Sequence, residues 1–145
     1  MKALKTKVAN GNSLAPQTAS ASWKAGWREI GGQKVYFRSA WEANYARFLE
    51  LERARGEVVK WEHEPETFWF DKIRRGVTSY LPDFRVTFRS GRVEYHEVKG
   101  WMDPKSKTKI QRMKKYYPEI KLIVINAKIY HKLSQLFSRA VPGWE

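Results

Sequence analysis

Three charged side chains that could act together lie in the segment SYLPDFRVTFRSGRVEYHEVKGW, residues 79–101: Asp83, Glu97 and Lys99. The alternation of residues around a Ser-Gly pair predicts two strands joined by a turn. Glu97 and Lys99 face the same side of the second strand, because successive strand side chains alternate. The proline directly before Asp83 places this residue at the start of the first strand. Two carboxylates and one ammonium group are therefore expected to converge where the sheet opens.

This set of groups suits the hydrolysis of phosphodiester bonds. Carboxylate oxygens, a backbone carbonyl such as that of Val98 and several waters suit a hard cation like Mg²⁺. The metal would lower the pKa of a bound water, while Lys99 would orient the nucleophile or balance charge in the transition state. The alternative is structural, with Asp83 in a turn and with Glu97 and Lys99 on a solvated strand face. Apolar neighbours indicate instead that the strand is largely covered, and charges on a covered strand need partners.

The charge composition indicates a polyanionic partner. The chain has 28 Lys and Arg against 15 Asp and Glu, a formal net charge of +13. Nucleic acid is the commonest partner of so basic a protein. An anionic membrane is the rival, but no apolar run approaches the roughly 18 residues of a spanning helix, so no membrane is expected. The absence of cysteine excludes disulfides and Cys-ligated zinc or iron sites.

A third carboxylate, that of Glu42, lies on a predicted amphipathic helix. Ser39 stands at the N-cap position of the segment AWEANYARFLELERA, and the helix is expected to end near Gly56. Glu42 falls on the first turn, at the border of the buried face. Taken alone, it is better explained as the glutamate of a capping box with Ser39. The apolar residues that define the buried face are Trp41, Tyr45, Phe48 and Leu49.

The rest of the chain is predicted to form one α/β domain. Residues 1–22 are basic and lack apolar periodicity, which predicts a flexible basic arm or, alternatively, a frayed terminus. Residues 23–145 suffice for a single core. Short extended pieces are predicted on either side of a turn at 31–33. Strands are predicted at 58–65, 80–88, 92–100 and 121–126, with a loop or hairpin at 67–76. Helices are predicted from Pro104, with Ile110, Met113 and Tyr117 inward, and at 129–137, with Ile129, Leu133, Leu136 and Phe137 on one side.

The motifs SYLPDF and EVKGW, with RSAWE on the preceding helix, resemble those of the PD…(D/E)xK nuclease superfamily. More narrowly, they resemble the phage endonuclease I type of Holliday junction resolvase, and less closely the archaeal-type resolvases. The resemblance covers roughly residues 37–126. It implies a restriction-endonuclease-like fold with an αβββαβ core, in which helices flank a mixed central sheet.

The resemblance also implies roles for individual residues. Asp83, Glu97 and the Val98 carbonyl would bind the metal, Glu42 would be the helix carboxylate of the same site, and Lys99 would be the catalytic lysine. The expected cofactor is Mg²⁺, with Mn²⁺ able to substitute. The expected activity is that of a metal-dependent, structure-selective DNA endonuclease, a Holliday junction resolvase that makes paired nicks in four-way junctions as a homodimer. Its expected location is intracellular, in the cytoplasm of a bacterial or phage-infected host cell.

Two other functions stay open at the level of sequence. One is a nicking endonuclease of repair or mobile-element type that acts on duplex DNA. The other is a non-catalytic nucleic-acid-binding module that keeps the nuclease fold. The second is disfavoured because all four residues of the predicted site are intact.

Basic residues around this site form a predicted DNA-binding track. Those on the helix after the second strand have no compensating acids between Pro104 and Pro118, which favours phosphate contacts over a merely solvated face. The predicted DNA-binding residues are Arg38, Ser39, Arg85, Arg89, Arg92, Lys105, Lys107, Lys109, Arg112 and Lys115.

A few aromatic residues and histidines need separate interpretation. Trp101 follows the catalytic lysine by two residues and is either a core residue or a surface against which an unstacked strand packs. The histidines, His63, His96 and His131, lack the spacing of metal ligands and are interpreted as ordinary residues, with His96 a candidate support for a metal ligand.

Overall fold

The computed structural model describes residues 24–145. The predicted basic arm at 1–22 lies outside the described residues. The strands are β1 (Gly26–Ile30), β2 (Gln33–Phe37), β3 (Val58–His63), β4 (Phe68–Trp69), β5 (Ser79–Tyr80), β6 (Phe84–Phe88), β7 (Val93–Val98) and β8 (Leu122–Ile125). The helices are α1 (Ala40–Ala54), α2 (Pro104–Tyr116) and α3 (Ala127–Phe137).

The central element is a four-stranded mixed sheet with the strand order β3-β6-β7-β8. The pairs β3-β6 and β6-β7 are antiparallel, whereas β7 and β8 are parallel and are connected through α2. Read along the chain, α1, β3, β6, β7, α2 and β8 give the predicted αβββαβ order. The α/β fold class with a mixed sheet flanked by helices is therefore confirmed.

Two small antiparallel hairpins accompany this sheet. The first pairs β1 with β2, and its turn at Gly31 and Gly32 has φ angles of 61° and 79°, which glycine adopts without steric cost. The predicted turn at 31–33 is therefore confirmed. The second hairpin pairs the two-residue strands β4 and β5. β4 lies within the segment 67–76 that was predicted as a loop or hairpin, and β5 follows that segment.

The two faces of the sheet are covered by different helices. The side chains of Phe84 and Val86 on β6 and of Val98 on β7 pack into one core with residues of α1 and α3. On the opposite face, Tyr95 packs into a second core with Met113 of α2 and with residues of the β4-β5 hairpin. The β7 strand is thus covered on both faces, as its apolar flanks predicted.

The structure corrects the predicted strand at 80–88. Pro82 divides it, so that Tyr80 belongs to β5 and the sheet strand begins only at Phe84. Proline has no backbone N–H for a sheet ladder, which explains the interruption. Asp83 accordingly lies directly before the first residue of β6.

The inward face of α3 is also corrected. The helix buries Tyr130, and Leu133 packs against the core beside it. Ile129 and Leu136, which were predicted on the buried side, are 40% and 64% exposed. Each lies one residue, or about 100°, away from the stripe that the sheet covers. No helix within residues 24–145 has the length and apolar character that crossing a membrane requires.

Candidate active site

Asp83 is fixed at the point where β6 begins and β7 ends. Its side chain is 5% exposed, and its Oδ2 atom accepts a hydrogen bond of 2.8 Å from the backbone N–H of Val98. The β6-β7 register pairs Phe84 with His96, which places Asp83 opposite Glu97 on the neighbouring strand. The two carboxylates of the PD and ExK motifs are therefore brought together, as predicted.

Glu97 is oriented by a residue that sequence reasoning missed. The hydroxyl of Tyr80 donates a hydrogen bond of 2.7 Å to Glu97 Oε1. Burial, with the nearby charge of Glu97, raises the pKa of Tyr80, so that the hydroxyl remains a donor. Burial also raises the pKa of Glu97, although the hydrogen bond from Tyr80 and the charge of Lys99 act in the opposite direction. The only sequence signal for Tyr80 is its position within SYLPDF, three residues before Asp83.

Glu42 reaches the same region from the first turn of α1. Ser39 caps the helix as predicted, because its Oγ accepts a hydrogen bond of 3.1 Å from the Glu42 N–H. The Glu42 carboxylate does not complete a capping box. Its Oε2 atom lies 3.3 Å from His63 Nε2 and 3.5 Å from the backbone nitrogen of Arg38. The buried carboxylate therefore lies close enough to Asp83 for its charge to act on that residue.

The carboxylates of Glu97 and Glu42 act electrostatically on Asp83. The pKa of Asp83 is raised well above its ordinary value, first by burial and then by the nearby carboxylates of Glu97 and Glu42. Mutual repulsion of this kind is relieved by a proton or by a cation. Burying such groups without relief is costly, so the cluster is chemically suited to bind a positive ion.

The donor set fits Mg²⁺ in its chemistry. Between residues 24 and 145, no group of three or more His, Asp or Glu side chains is arranged to hold a metal ion. Mg²⁺ in proteins, however, is commonly held by one or two carboxylates and keeps several waters. Asp83 and Glu97 supply two carboxylates, which is the number that such a site commonly uses.

Lys99 lies at the margin of the acidic cluster. Its backbone N–H donates to the Ile125 carbonyl at 3.0 Å, which fixes the end of β7 against β8. Its ammonium is partly exposed and lies 3.9 Å from Asp103 Oδ2. Asp103 in turn caps α2 by accepting a hydrogen bond of 2.7 Å from the Ser106 N–H. Asp103 was missed by sequence reasoning, although an Asp-Pro pair at a helix start is a recognisable N-cap signal.

Two of the three histidines make contacts that the sequence did not indicate. The side chain of His63, interpreted as ordinary, is 7% exposed, and its Nε2 atom lies 3.3 Å from Glu42 Oε2. His96, the candidate support for a metal ligand, instead contacts the Tyr45 hydroxyl at 2.7 Å and Glu94 at 3.0 Å. It lies on the α1 face of β7, whereas Glu97 lies on the α2 face. The alternation of strand side chains explains why these adjacent residues diverge.

Glu64 is a further neighbour of the site that the sequence did not reveal. It has a φ of 48°, uncommon for a residue other than glycine. Its N–H donates to the Asp83 carbonyl at 2.8 Å, and its carboxylate lies 2.6 Å from the Arg38 guanidinium. The strained residue thus connects the end of β3 to the start of β6.

All five predicted DNA-binding arginines contact other groups of the protein. Arg85 pairs with Glu62 at 2.9 Å and with Glu66 at 3.2 Å, and Arg112 donates to the Val77 carbonyl. Three further ion pairs are Arg38 with Glu64, Arg89 with Glu57, and Arg92 with Glu94.

The lysines of α2 differ from these arginines. Within the described part of the chain, no ion pair involves the predicted lysines of this helix: Lys105, Lys107, Lys109 and Lys115. Lys109 also approaches the acidic cluster, because its Nζ lies 6.0 Å from the centre of the Tyr80 ring and its charge lowers the pKa of Glu97.

The fold and the site together define an α/β domain with a buried acidic cluster at one end of a mixed sheet. The family described as "Protein of unknown function (DUF1064)" matches residues 23–132, more than half of the chain. The chain therefore belongs to this family. A comparison with curated proteins finds no match.

Proposed function

We propose that this protein is a metal-dependent endonuclease that hydrolyses phosphodiester bonds in DNA. The proposal rests chiefly on the burial of Asp83 beside Glu97 and Glu42, with Lys99 at the margin of the cluster. Buried carboxylates that repel one another cost stability, so their convergence favours a site that takes up a cation. The net charge of +13 supports a polyanionic substrate.

Asp83, Glu97 and the Val98 carbonyl would hold Mg²⁺, with Glu42 as an additional carboxylate and with Mn²⁺ able to substitute. When bound, the metal would supply a water of lowered pKa and would offset charge on a phosphate oxygen. The protein contributes orientation: the Val98 N–H fixes Asp83. The ammonium of Lys99 would stabilise negative charge as the bond to the leaving oxygen breaks.

Four-way junctions are the proposed substrate, cut by paired nicks in the cytoplasm of a bacterial or phage-infected host cell. The resemblance to Holliday junction resolvases supports this choice. Each chain contributes a single set of Glu42, Asp83, Glu97 and Lys99, so that symmetric incision of two strands requires two copies. A homodimer is therefore part of the proposal.

Cleavage of matched DNA substrates tests the proposal. Four-way, flapped and linear DNAs of equal length would be incubated with the protein in Mg²⁺ and in EDTA. Asp83→Asn should abolish cleavage, whereas Asp71→Asn, the same change at an exposed carboxylate, should leave the rate unchanged. Metal-dependent cleavage that survives Asp83→Asn would refute the assignment of the site. Equal cleavage of linear and four-way DNA by a monomer would refute the resolvase while leaving the nuclease.

A further inference from the structure

Trp101 is an exposed aromatic side chain beside the candidate active site. Its side chain is 72% exposed, and it follows Lys99 by two residues. A single exposed apolar residue is ordinary on a protein surface. Trp101 therefore does not belong to the core. The alternative interpretation is that it contacts a substrate strand.

The backbone directly before Trp101 packs closely against the ring of Trp41. At the preceding residue, Gly100, a Cβ atom would lie 2.9 Å from the Trp41 ring, so that only glycine permits this close approach. Trp41 is itself stacked on Tyr130, with ring centres 4.1 Å apart and planes 10° from parallel. The backbone directly before Trp101 therefore packs closely against a stacked aromatic pair. This packing limits the conformational freedom that ligand binding would remove from the segment.

The charged residues close to Trp101 in the chain indicate the chemistry of its ligand. Lys99 precedes it by two residues, and Lys105 and Lys107 follow on the first turns of α2. Asp103 is the acidic residue of this segment, but its carboxylate caps α2 and lies beside Lys99. An exposed aromatic ring on a segment rich in lysine combines the two features by which proteins hold single nucleic-acid strands: stacking to bases and ion pairs to phosphates.

We propose that the indole of Trp101 stacks on a DNA base whose face is exposed by an interruption of base stacking next to the phosphate that is cut. This inference rests on the proposed endonuclease function and deepens it, because it states how the site would recognise its DNA: by an interrupted base stack, as at a junction, flap or bulge. A continuous duplex offers no free base face, because its bases are stacked on one another. Trp101 thus distinguishes interrupted from continuous DNA without reading sequence.

Binding measurements in EDTA test this role without cleavage. Two fluorescent duplexes with the same base pairs would be compared by anisotropy, one continuous and one with a three-nucleotide bulge inserted in one strand. The full chain should bind the bulged DNA at least about 5-fold more tightly, the lower end of the effect of stacking one base. Trp101→Ala should remove this preference and leave the affinity for the continuous duplex unchanged. Trp101→Phe, which keeps an aromatic face, should retain most of it.

Trp69 provides the matched control. It is 58% exposed, and its carbonyl accepts a hydrogen bond from Tyr117, at the far end of α2 from Trp101. The 13 residues of that helix span about 20 Å. Trp69→Ala should therefore leave the preference for bulged DNA intact. An equal loss in both variants would indicate a general effect of removing exposed tryptophan and would overturn the inference.

Other results distinguish this inference from the proposed function. If the unmodified protein shows no preference for bulged DNA, or if Trp101→Ala keeps that preference, the inference is wrong while metal-dependent cleavage can stand. If Trp101→Ala instead converts a dimer to a monomer in sedimentation, the ring covers a second copy of the chain, and the inference is wrong. Conversely, a preference that depends on Trp101 in a protein that never cleaves DNA would support the stacking site and refute the nuclease.

Discussion

Replacement of Asp83 by asparagine is expected to stabilise the metal-free protein at neutral pH while it abolishes cleavage. Asp83 is buried opposite Glu97, and cross-strand neighbours have Cβ atoms about 5 Å apart. Two unit charges at about that distance repel by about 3 kcal/mol at an effective dielectric constant of about 20. Asparagine removes this repulsion, and its side-chain oxygen can still accept the hydrogen bond from Val98. The expected gain in the free energy of unfolding is about 1–3 kcal/mol.

The pH dependence of this gain has a definite sign. The pKa of Asp83 is higher in the folded protein than in the unfolded chain, because of burial and the carboxylates of Glu97 and Glu42. The stability contributed by the protonated carboxyl is therefore fully present below about pH 4 and is lost as the pH rises through the raised folded-state pKa. The difference between Asp83→Asn and the unmodified protein should vanish at acid pH and grow as the pH rises through the raised folded-state pKa of Asp83.

Urea unfolding in EDTA at several pH values measures this difference directly. Asp71→Asn, at an exposed carboxylate, is the control and should change stability by no more than about 0.5 kcal/mol. Adding Mg²⁺ should stabilise the unmodified protein more than Asp83→Asn, because a cation that binds the folded state raises its stability. A variant that is less stable at pH 7.5, or equally more stable at every pH, would refute the electrostatic reasoning.

Three further predictions concern the basic residues. Lys99→Ala should lower single-turnover cleavage by roughly 100-fold or more and change DNA affinity only a few-fold, since the lysine acts on developing charge; unchanged kinetics would exclude it from the site. Replacing Lys105, Lys107 and Lys115 together by glutamine should reduce the slope of log K against log salt by about 3, as expected for three lost phosphate contacts; an unchanged slope would show that α2 does not touch DNA. Arg85→Gln should leave the salt dependence of DNA binding unchanged but lower the free energy of unfolding in urea by about 1 kcal/mol, because Arg85 joins β6 to glutamates of the β3 region. A changed salt dependence would indicate that Arg85 contacts DNA.

The convergence of the carboxylates could be predicted because it depends on local rules. Alternation along β7 and the proline before Asp83 suffice to place two carboxylates at neighbouring strand ends, and the helix period places Glu42 near the buried face. The contacts of Tyr80 and His63 could not be predicted, because they depend on how separate loops pack against the sheet. The position of Arg85 shows the same limit: its charge suggested DNA, but the pairing of β3 with β6 places Glu62 opposite it.

The exposed face of α3 shows why the apolar pattern of a helix does not by itself predict which of its residues are buried. Tyr130, Leu133 and Phe137 define a stripe that the core covers, and Ile129 and Leu136 are equally apolar. A rotation of the helix about its axis by one residue, or about 100°, would exchange the two sets. The packing of the helix on the sheet determines this rotation. The sequence pattern alone allows both.

The separation of Glu42 from the β6-β7 hairpin has a consequence for the order in which the molecule assembles. Asp83 and Glu97 approach one another as soon as this hairpin closes, because its turn is short and its pairing is local. Glu42 arrives only with α1, from a distant part of the chain. The electrostatic cost is therefore divided between two steps: hairpin formation, which opposes Asp83 and Glu97, and the docking of α1, which adds Glu42. Refolding should accordingly be slowed at neutral pH at both steps.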